Sequence, residues 1–422
     1  MNNKKILAFV LSAAMLAAMT GCGGEKDTPA ETTAEETTAS AAAPAVTEPE
    51  VPTEPVDLEA GVTDAMYERA VISEGDKTRV ASFLRRLKNG EKLSVGFIGG
   101  SITQGTAAST PDECYASRIW QGLAEKNGEL EYVNAGIGAT DSYIGVHRIE
   151  RDLFKDGVCP DLVFVEFSVN DTNALVNKES YDSLVRRILS QPNNPAVILI
   201  FTTQENGTSL VDTHIEIGKQ YDLPMLSYKN IVFPEVQAGT LDWKAISPDN
   251  IHPNSIGHGF IAEMALRYLN GVESELDSIT EEPKAFDAEP LTKDIYANAH
   301  MLNSKDITAE TCENFEVKTV DGNFPDGWSC EAGGTLVFKD VEFGNFGVMF
   351  RRSPSGNLGK YEVYIDGEKK GTIDGSFPGG WGSYAETKVC SRYGEPAKHT
   401  VEIKPAPGCE DKGCDILALM VS

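Results

Sequence analysis

Between about Asp57 and Gly271 the sequence alternates short apolar runs with amphipathic stretches of helical period, and this alternation limits the fold more than any other feature. The runs are Leu93 to Ile98, Glu131 to Asn134, Leu162 to Phe167 and Val197 to Thr202, with a weaker fifth at Pro224 to Leu226. They are apolar along most of their length rather than at every second residue, so both faces of each strand are buried. The helical stretches cover Lys77 to Lys88, Cys114 to Lys126, Ser142 to Phe154, Glu179 to Ser190, Val211 to Tyr221 and Ser255 to Leu269. Buried strands with helices between them predict a parallel sheet covered on both sides, a three-layer α/β/α domain over residues 57–272. In such a sheet the reactive side chains gather where the strands end.

The pattern then changes. A stretch rich in Glu, Asp and Pro from about Val272 to Lys293 reads as a linker. Beyond it, Thr335 to Phe338, Gly347 to Phe350, Tyr361 to Ile365 and Thr400 to Ile403 are strand-like. Asp366-Gly367 and Asp374-Gly375 supply turn signals. Strands and turns at this spacing predict a small antiparallel β-sandwich over residues 294–422, an accessory domain.

The N-terminal residues lie outside both domains. Lys4 and Lys5 precede an apolar run, Ile6 to Ala18, that is short for a membrane span. The run ends in Met19-Thr20-Gly21-Cys22, which resembles a bacterial lipoprotein cleavage site. The resemblance implies a signal peptide over residues 1–21 and a lipid on Cys22, which would hold the protein at the outer face of the membrane. Residues 22–56 are rich in Glu, Thr, Ala and Pro and poor in apolar side chains, so they read as a disordered spacer. The formal net charge is -27, which excludes nucleic acid as a main partner because phosphate binding needs Lys and Arg.

The cysteines show neither CxxC spacing nor Cys/His clusters, so no zinc site is expected. Cys409 and Cys414 bracket a short polar turn that a disulfide would close. Cys312 and Cys330 are candidates to face each other, and Cys114, Cys159 and Cys390 have no evident partner.

The chemistry is carried by four short blocks. Ser94 to Ile98 is a buried strand that runs through Gly99-Gly100 into Ser101, so a tight turn presents a hydroxyl at the sheet edge. Asp249-Asn250-Ile251-His252-Pro253 supplies a carboxylate and an imidazole three residues apart. Together they are the parts of an activated nucleophile: His252 takes the Ser101 proton, and Asp249 fixes the tautomer and stabilises the cation. Asn170 ends another buried run, where its amide would donate to an oxyanion. Asn134 to Thr140 provides backbone N–H groups at a third strand end. Asp171 is expected to tie down a loop and His258 to be structural. His147, His214, His300 and His399 are expected at the surface or at caps.

These blocks, in this order, resemble the SGNH hydrolases, or GDSL-type esterases, over about Val95 to Leu269. The resemblance implies a three-layer α/β/α fold and ester hydrolysis with neither metal nor cofactor. It also implies an oxyanion hole made by the Ser101 N–H, the Gly138 N–H and the Asn170 amide, with the Ala139 N–H as the alternative to Gly138. Gly100 stands where the family usually has Asp. The anchor, the spacer and the β-sandwich suggest a polymeric substrate outside the cell, and the chain is similar to SGNH enzymes with attached β-sandwiches, a resemblance that implies a carbohydrate esterase acting on acylated, chiefly O-acetylated, carbohydrate. Trp328, Phe377, Trp381 and Tyr384 are candidates to stack on sugar or to fill the sandwich core. The competing readings are a lipid-directed or general acyl hydrolase acting on small esters, and a non-catalytic glycan-binding lipoprotein.

Overall fold

The computed structural model describes residues 52–126 and 129–422. The leader, Cys22 and the spacer up to residue 51 lie outside the described residues.

Six strands form the first sheet: β1 (Val71–Ser73), β2 (Ser94–Gly99), β3 (Glu131–Gly136), β4 (Leu162–Glu166), β5 (Ala196–Phe201) and β6 (Met225–Ser227). Their order is β1-β6-β5-β4-β2-β3, with β2 to β6 parallel and β1 an antiparallel edge. The apolar runs explain the layering. In β5, Ala196, Ile198 and Ile200 enter one core, while Val197, Leu199 and Phe201 enter the other.

Helices pack on both faces. They are α1 (Asp64–Ala70), α2 (Thr78–Lys88), α3 (Ser101–Gln104), α4 (Tyr115–Ala124), α5 (Ser142–Asp152), α6 (Leu175–Leu189), α7 (Val211–Gln220), α8 (Tyr228–Ala238), α9 (Trp243–Ile246) and α10 (Ser255–Ser274). The first core takes the apolar faces of α2, α4, α8 and α10, and the second takes those of α5, α6 and α7. The fold is therefore the three-layer α/β/α arrangement expected from the alternation.

The remaining strands are antiparallel: β7 (His300–Leu302), β8 (Thr311–Glu313), β9 (Glu316–Lys318), β10 (Gly327–Cys330), β11 (Thr335–Phe343), β12 (Phe346–Arg352), β13 (Lys360–Ile365), β14 (Glu368–Asp374), β15 (Tyr384–Ser391), β16 (Ala397–Pro405) and β17 (Cys414–Val421). One sheet runs β15-β12-β17-β10-β9 with β7 also on β17, and the other runs β14-β13-β16-β11-β8. Between them lies a third core that includes Phe338, Phe350, Tyr361 and Trp328. Trp328 packs edge-on against Phe338, so it fills the sandwich and is not a sugar platform.

The sandwich does not stand apart from the first domain. Every residue of β17 is buried. Cys414, Ile416, Leu419 and Val421 enter the sandwich core, whereas Leu417, Ala418 and Met420 join Tyr143, Val146 and Ile149 of α5 in the second α/β core. An antiparallel sheet with one face in water alternates apolar and polar residues. This one is covered on both faces and does not. Polar contacts close the rim: Arg392 and Tyr393 both reach the buried Glu179 carboxylate of α6, Tyr393 at 2.7 Å.

The described cysteines are all free thiols. Cys409 does not bridge to Cys414, which is buried on β17 opposite Cys330. Cys312 does not bridge to Cys330: it lies exposed on β8, in the opposite sheet.

Candidate active site

The carboxyl ends of β2, β3 and β4 meet in one place. β2 runs through Gly99 and Gly100 into α3, and Ser101 is the first residue of that helix. Its N–H is therefore one of those that a helix leaves without an internal partner. The His252 ring lies opposite, with Nε2 2.9 Å from Ser101 Oγ. On the far side of the ring, Nδ1 is 2.8 Å from Asp249 Oδ2. With Nδ1–H donating to the carboxylate, Nε2 is left to accept the hydroxyl proton.

The loop carrying His252 is held by its own backbone. Asp249 Oδ1 accepts the N–H groups of Ile251 and His252, both at 2.7 Å. Ser247 Oγ donates towards the carbonyls of Asp249 at 2.7 Å and His252 at 2.6 Å, and Trp243 Nε1 donates to the Asp249 carbonyl at 2.6 Å. Asn254 then caps α10 by accepting from the Ile256 and Gly257 N–H groups. Burial works to raise the Asp249 carboxyl, but the hydrogen bonds from His252 and Ile251 outweigh it and hold the carboxyl below its ordinary value.

Asn170 follows β4 in a turn in which the Asn170 and Asp171 N–H groups both donate to the Phe167 carbonyl. Its amide lies against Gly100. A Cβ at position 100 would fall 2.3 Å from Asn170 Oδ1 and 3.1 Å from Nδ2, so the Asn170 amide as placed occupies the space that Gly100 leaves open. Oδ1, the nearer end, is buried without a hydrogen-bond partner among the described residues. Gly138, after β3, completes the group. A Cβ there would stand 3.7 Å from Ser101 Cβ, and the Gly138 N–H donates to Gln104 Oε1 at 3.0 Å. Ala139 beside it has φ +59°, which bends the chain sharply after Gly138.

Beneath these residues lies a buried polar layer, in which Asp171 and His258 take the structural places expected of them and the rest was not foreseen. Asp171 Oδ1 accepts the Ser142 N–H at 2.8 Å, and Oδ2 lies 3.0 Å from His214 Nε2. His214 is fully buried and stacks on Tyr181 at 3.7 Å, not at the surface as expected. His147 is also buried, its Nδ1 2.7 Å from the Tyr143 carbonyl, and burial pushes its imidazole down to about 3. His258 spans α10 and α4, with Nδ1 accepting the Tyr115 N–H, and burial lowers it to about 4. Glu166 takes hydrogen bonds from Thr202, at 2.7 Å, and from Ser168 and Thr103. Even so, burial pushes its carboxyl up to about 7. Burial, and then the charge of Asp171, raise Asp141 to about 6. No sequence pattern flags His214 and Glu166, because their partners Asp171 and Thr202 come from other segments of the chain.

The cleft around Ser101 has a volume of about 700 Å³ and is built by both halves of the molecule. The α/β domain supplies Ser101, Gln104, Gly138, Asn170 and His252. The sandwich supplies Asp321, Asn323, Phe324, Trp381 and Tyr384. Trp381 is 73% exposed and stacks on Tyr384 at 5.1 Å, with Phe377 edge-on to both rings. The sequence offered Phe377, Trp381 and Tyr384 as candidates to stack on sugar, but not that Trp381 and Tyr384 stand near the serine.

A hydroxyl, an imidazole and a carboxylate in line at the strand ends of an α/β/α sheet define the serine-type hydrolases as a class. Residues 97–260 match the GDSL-like lipase/acylhydrolase family. The crystal structure of a two-domain esterase (CEX) active on acetylated mannans is 31% identical with a TM-score of 0.78, the match covering 84% of this chain and 98% of that one. A second crystal structure of that description, co-crystallised with mannopentaose, is 31% identical with a TM-score of 0.76, over 84% and 97%. No curated protein sequence matches. The chain belongs to the GDSL-like lipase/acylhydrolase (SGNH) family and is an esterase of that family.

Proposed function

We propose that this esterase removes O-acetyl groups from carbohydrate, and that Ser101, His252 and Asp249 carry the reaction. Ser101 Oγ attacks the ester carbonyl while His252 Nε2 takes its proton. His252 returns that proton to the departing sugar oxygen, and water then repeats the cycle on the acyl-enzyme. Asp249 holds the tautomer and stabilises the imidazolium. The Ser101 N–H, the Gly138 N–H and the Asn170 amide receive the negative oxygen, each such donor contributing about 3 kcal/mol where one has been removed elsewhere.

The observation that carries the substrate reading is the Trp381–Tyr384 stack in the same cleft as Ser101. An exposed aromatic face takes the apolar face of a sugar ring, and the polar Asp321 and Asn323 beside it suit hydroxyl groups. The likeness to an esterase active on acetylated mannans supports the same reading. The test is acetate release from acetylated mannan and other acetylated glycans, beside p-nitrophenyl esters of rising chain length. Faster hydrolysis of long-chain than of acetyl esters would replace this reading with a lipid-directed one. We also propose that a lipid on Cys22 holds the enzyme outside the cell, on the strength of the leader sequence. Labelled palmitate should enter the wild type and not Cys22→Ala.

A further inference from the structure

The Gly138 N–H, one of the three oxyanion donors in the reading above, already has an acceptor. Gln104 Oε1 takes its hydrogen bond at 3.0 Å. Gln104 is the last residue of α3, three positions after Ser101; it is exposed and lines the same cleft. A Cβ built on Gly138 would meet Gln104 Oε1 at 3.0 Å and Ser101 Cβ at 3.7 Å, so Gly138 lies against both the carboxamide oxygen and the nucleophile. A carboxamide oxygen and an ester carbonyl oxygen are the same kind of acceptor. Both cannot hold this N–H in line at once.

We propose that Gln104 is a displaceable occupant of the oxyanion position, and that a substrate must exchange it for its own carbonyl oxygen at Gly138. The exchange trades a neutral acceptor for an oxygen that gains a full charge as Ser101 adds. Charge-assisted bonds are roughly twice as strong as neutral ones, so the trade favours the tetrahedral state over the bound ester. The displaced carboxamide keeps two N–H donors and an acceptor, and it remains in the cleft that holds Trp381 and Tyr384. A sugar ring offers it free hydroxyls beside the ester; the p-nitrophenyl group carries none. Gln104 thus penalises small esters, and a carbohydrate ester recovers the lost bond. This last step rests on the carbohydrate reading, whereas the exchange itself needs only the esterase.

Two variants test it: Gln104→Ala, which removes the occupant, and Gln104→Glu, which replaces it with a stronger acceptor. Gln104→Ala should raise kcat/KM for p-nitrophenyl acetate by about two- to tenfold, the range of one net hydrogen bond, and should lower acetate release from the glycan ester. Gln104→Glu should lose activity on both substrates at neutral pH. Relative to wild type, that loss should shrink as pH falls toward the ordinary glutamate range near ~4.3. A drop of about tenfold or more on p-nitrophenyl acetate in folded Gln104→Ala would overturn the proposal, as would wild-type behaviour of Gln104→Glu at neutral pH. A wild type inactive on every glycan, with the p-nitrophenyl acetate gain intact, would defeat the carbohydrate reading and support the exchange.

Discussion

Two Asp–His pairs lie in the α/β domain, nearly identical in length and opposite in setting. His252 Nδ1 is 2.8 Å from Asp249, with 22% and 46% of the two side chains exposed. His214 Nε2 is 3.0 Å from Asp171, with neither side chain exposed at all. In the first pair the far ring nitrogen meets Ser101 Oγ. In the second the far nitrogen, Nδ1, is buried with no partner among the described residues, and Tyr181 covers the ring. The same two side chains therefore make a proton relay in one place and a rivet in the other. The difference comes from what the second nitrogen meets and whether substrate can reach it. The rivet still bears on the site: Asp171 follows Asn170 directly and ties that turn to the first residue of α5 through Ser142.

The largest effect tests the exposed pair. Ser101→Ala and His252→Ala should each cut turnover by about 10³-fold or more, measured on p-nitrophenyl acetate, without shifting the melting temperature. Full activity in either variant would take the first pair out of the chemistry. Asp249→Ala should cost less than His252→Ala in the same assay, because the base is kept and Ser247 and Trp243 still hold the carbonyls of its loop. The buried pair should answer in stability instead. His214→Ala removes the hydrogen bond at Oδ2 of the buried Asp171 carboxylate, leaving the Ser142 N–H on Oδ1, and should destabilise by about 1.5–3 kcal/mol in denaturant titration. An unchanged midpoint with lost turnover would mean that the second pair is chemical after all.

The smallest effect concerns a buried carboxylate with no imidazole at all. Glu166 has its folded value raised from 4.5 to about 7. Between those values the unfolded chain has released the proton and the folded chain keeps it, so stability falls as pH rises through that window and levels off above it. Glu166→Gln carries no proton in either state, so its melting temperature should decline less than the wild type's from pH 4.5 to pH 7. Parallel melting curves against pH would show that Glu166 does not titrate this way.

What the sequence made legible divides along the same line, between local order and assembly. β2, β4 and β5 stand out because strands buried on both faces are apolar runs in one chain segment. Asp249 and His252 stand out because three residues bring them together. β1 was invisible: a three-residue edge strand has no period to read. α8 was hidden by Pro234 inside the helix, which sequence reasoning takes as a break. β17 is as continuous an apolar run as β4 or β5, and what the sequence does not show is that such a run belongs to an antiparallel sheet covered on both faces. His214 and Glu166 have partners dozens of residues away, so nothing nearby in the sequence announces them. That Trp381 faces Ser101 depends on how the sandwich docks, which no single segment contains.

The docking has a consequence for descent. β17 lends one set of side chains to the sandwich and the interleaved set to the hydrolase core, and the loops of that same sandwich wall the cleft. A binding module joined by a tether can be traded between enzymes with its preferences intact. This one cannot be exchanged without opening the core of its neighbour and removing one wall of its cleft. New tastes in substrate should therefore arise here by point changes at positions such as Trp381, Asp321 and Asn323, not by recombination of whole domains. Lineages of such enzymes should keep their two halves together, and a tree built from either half should match the tree built from the other.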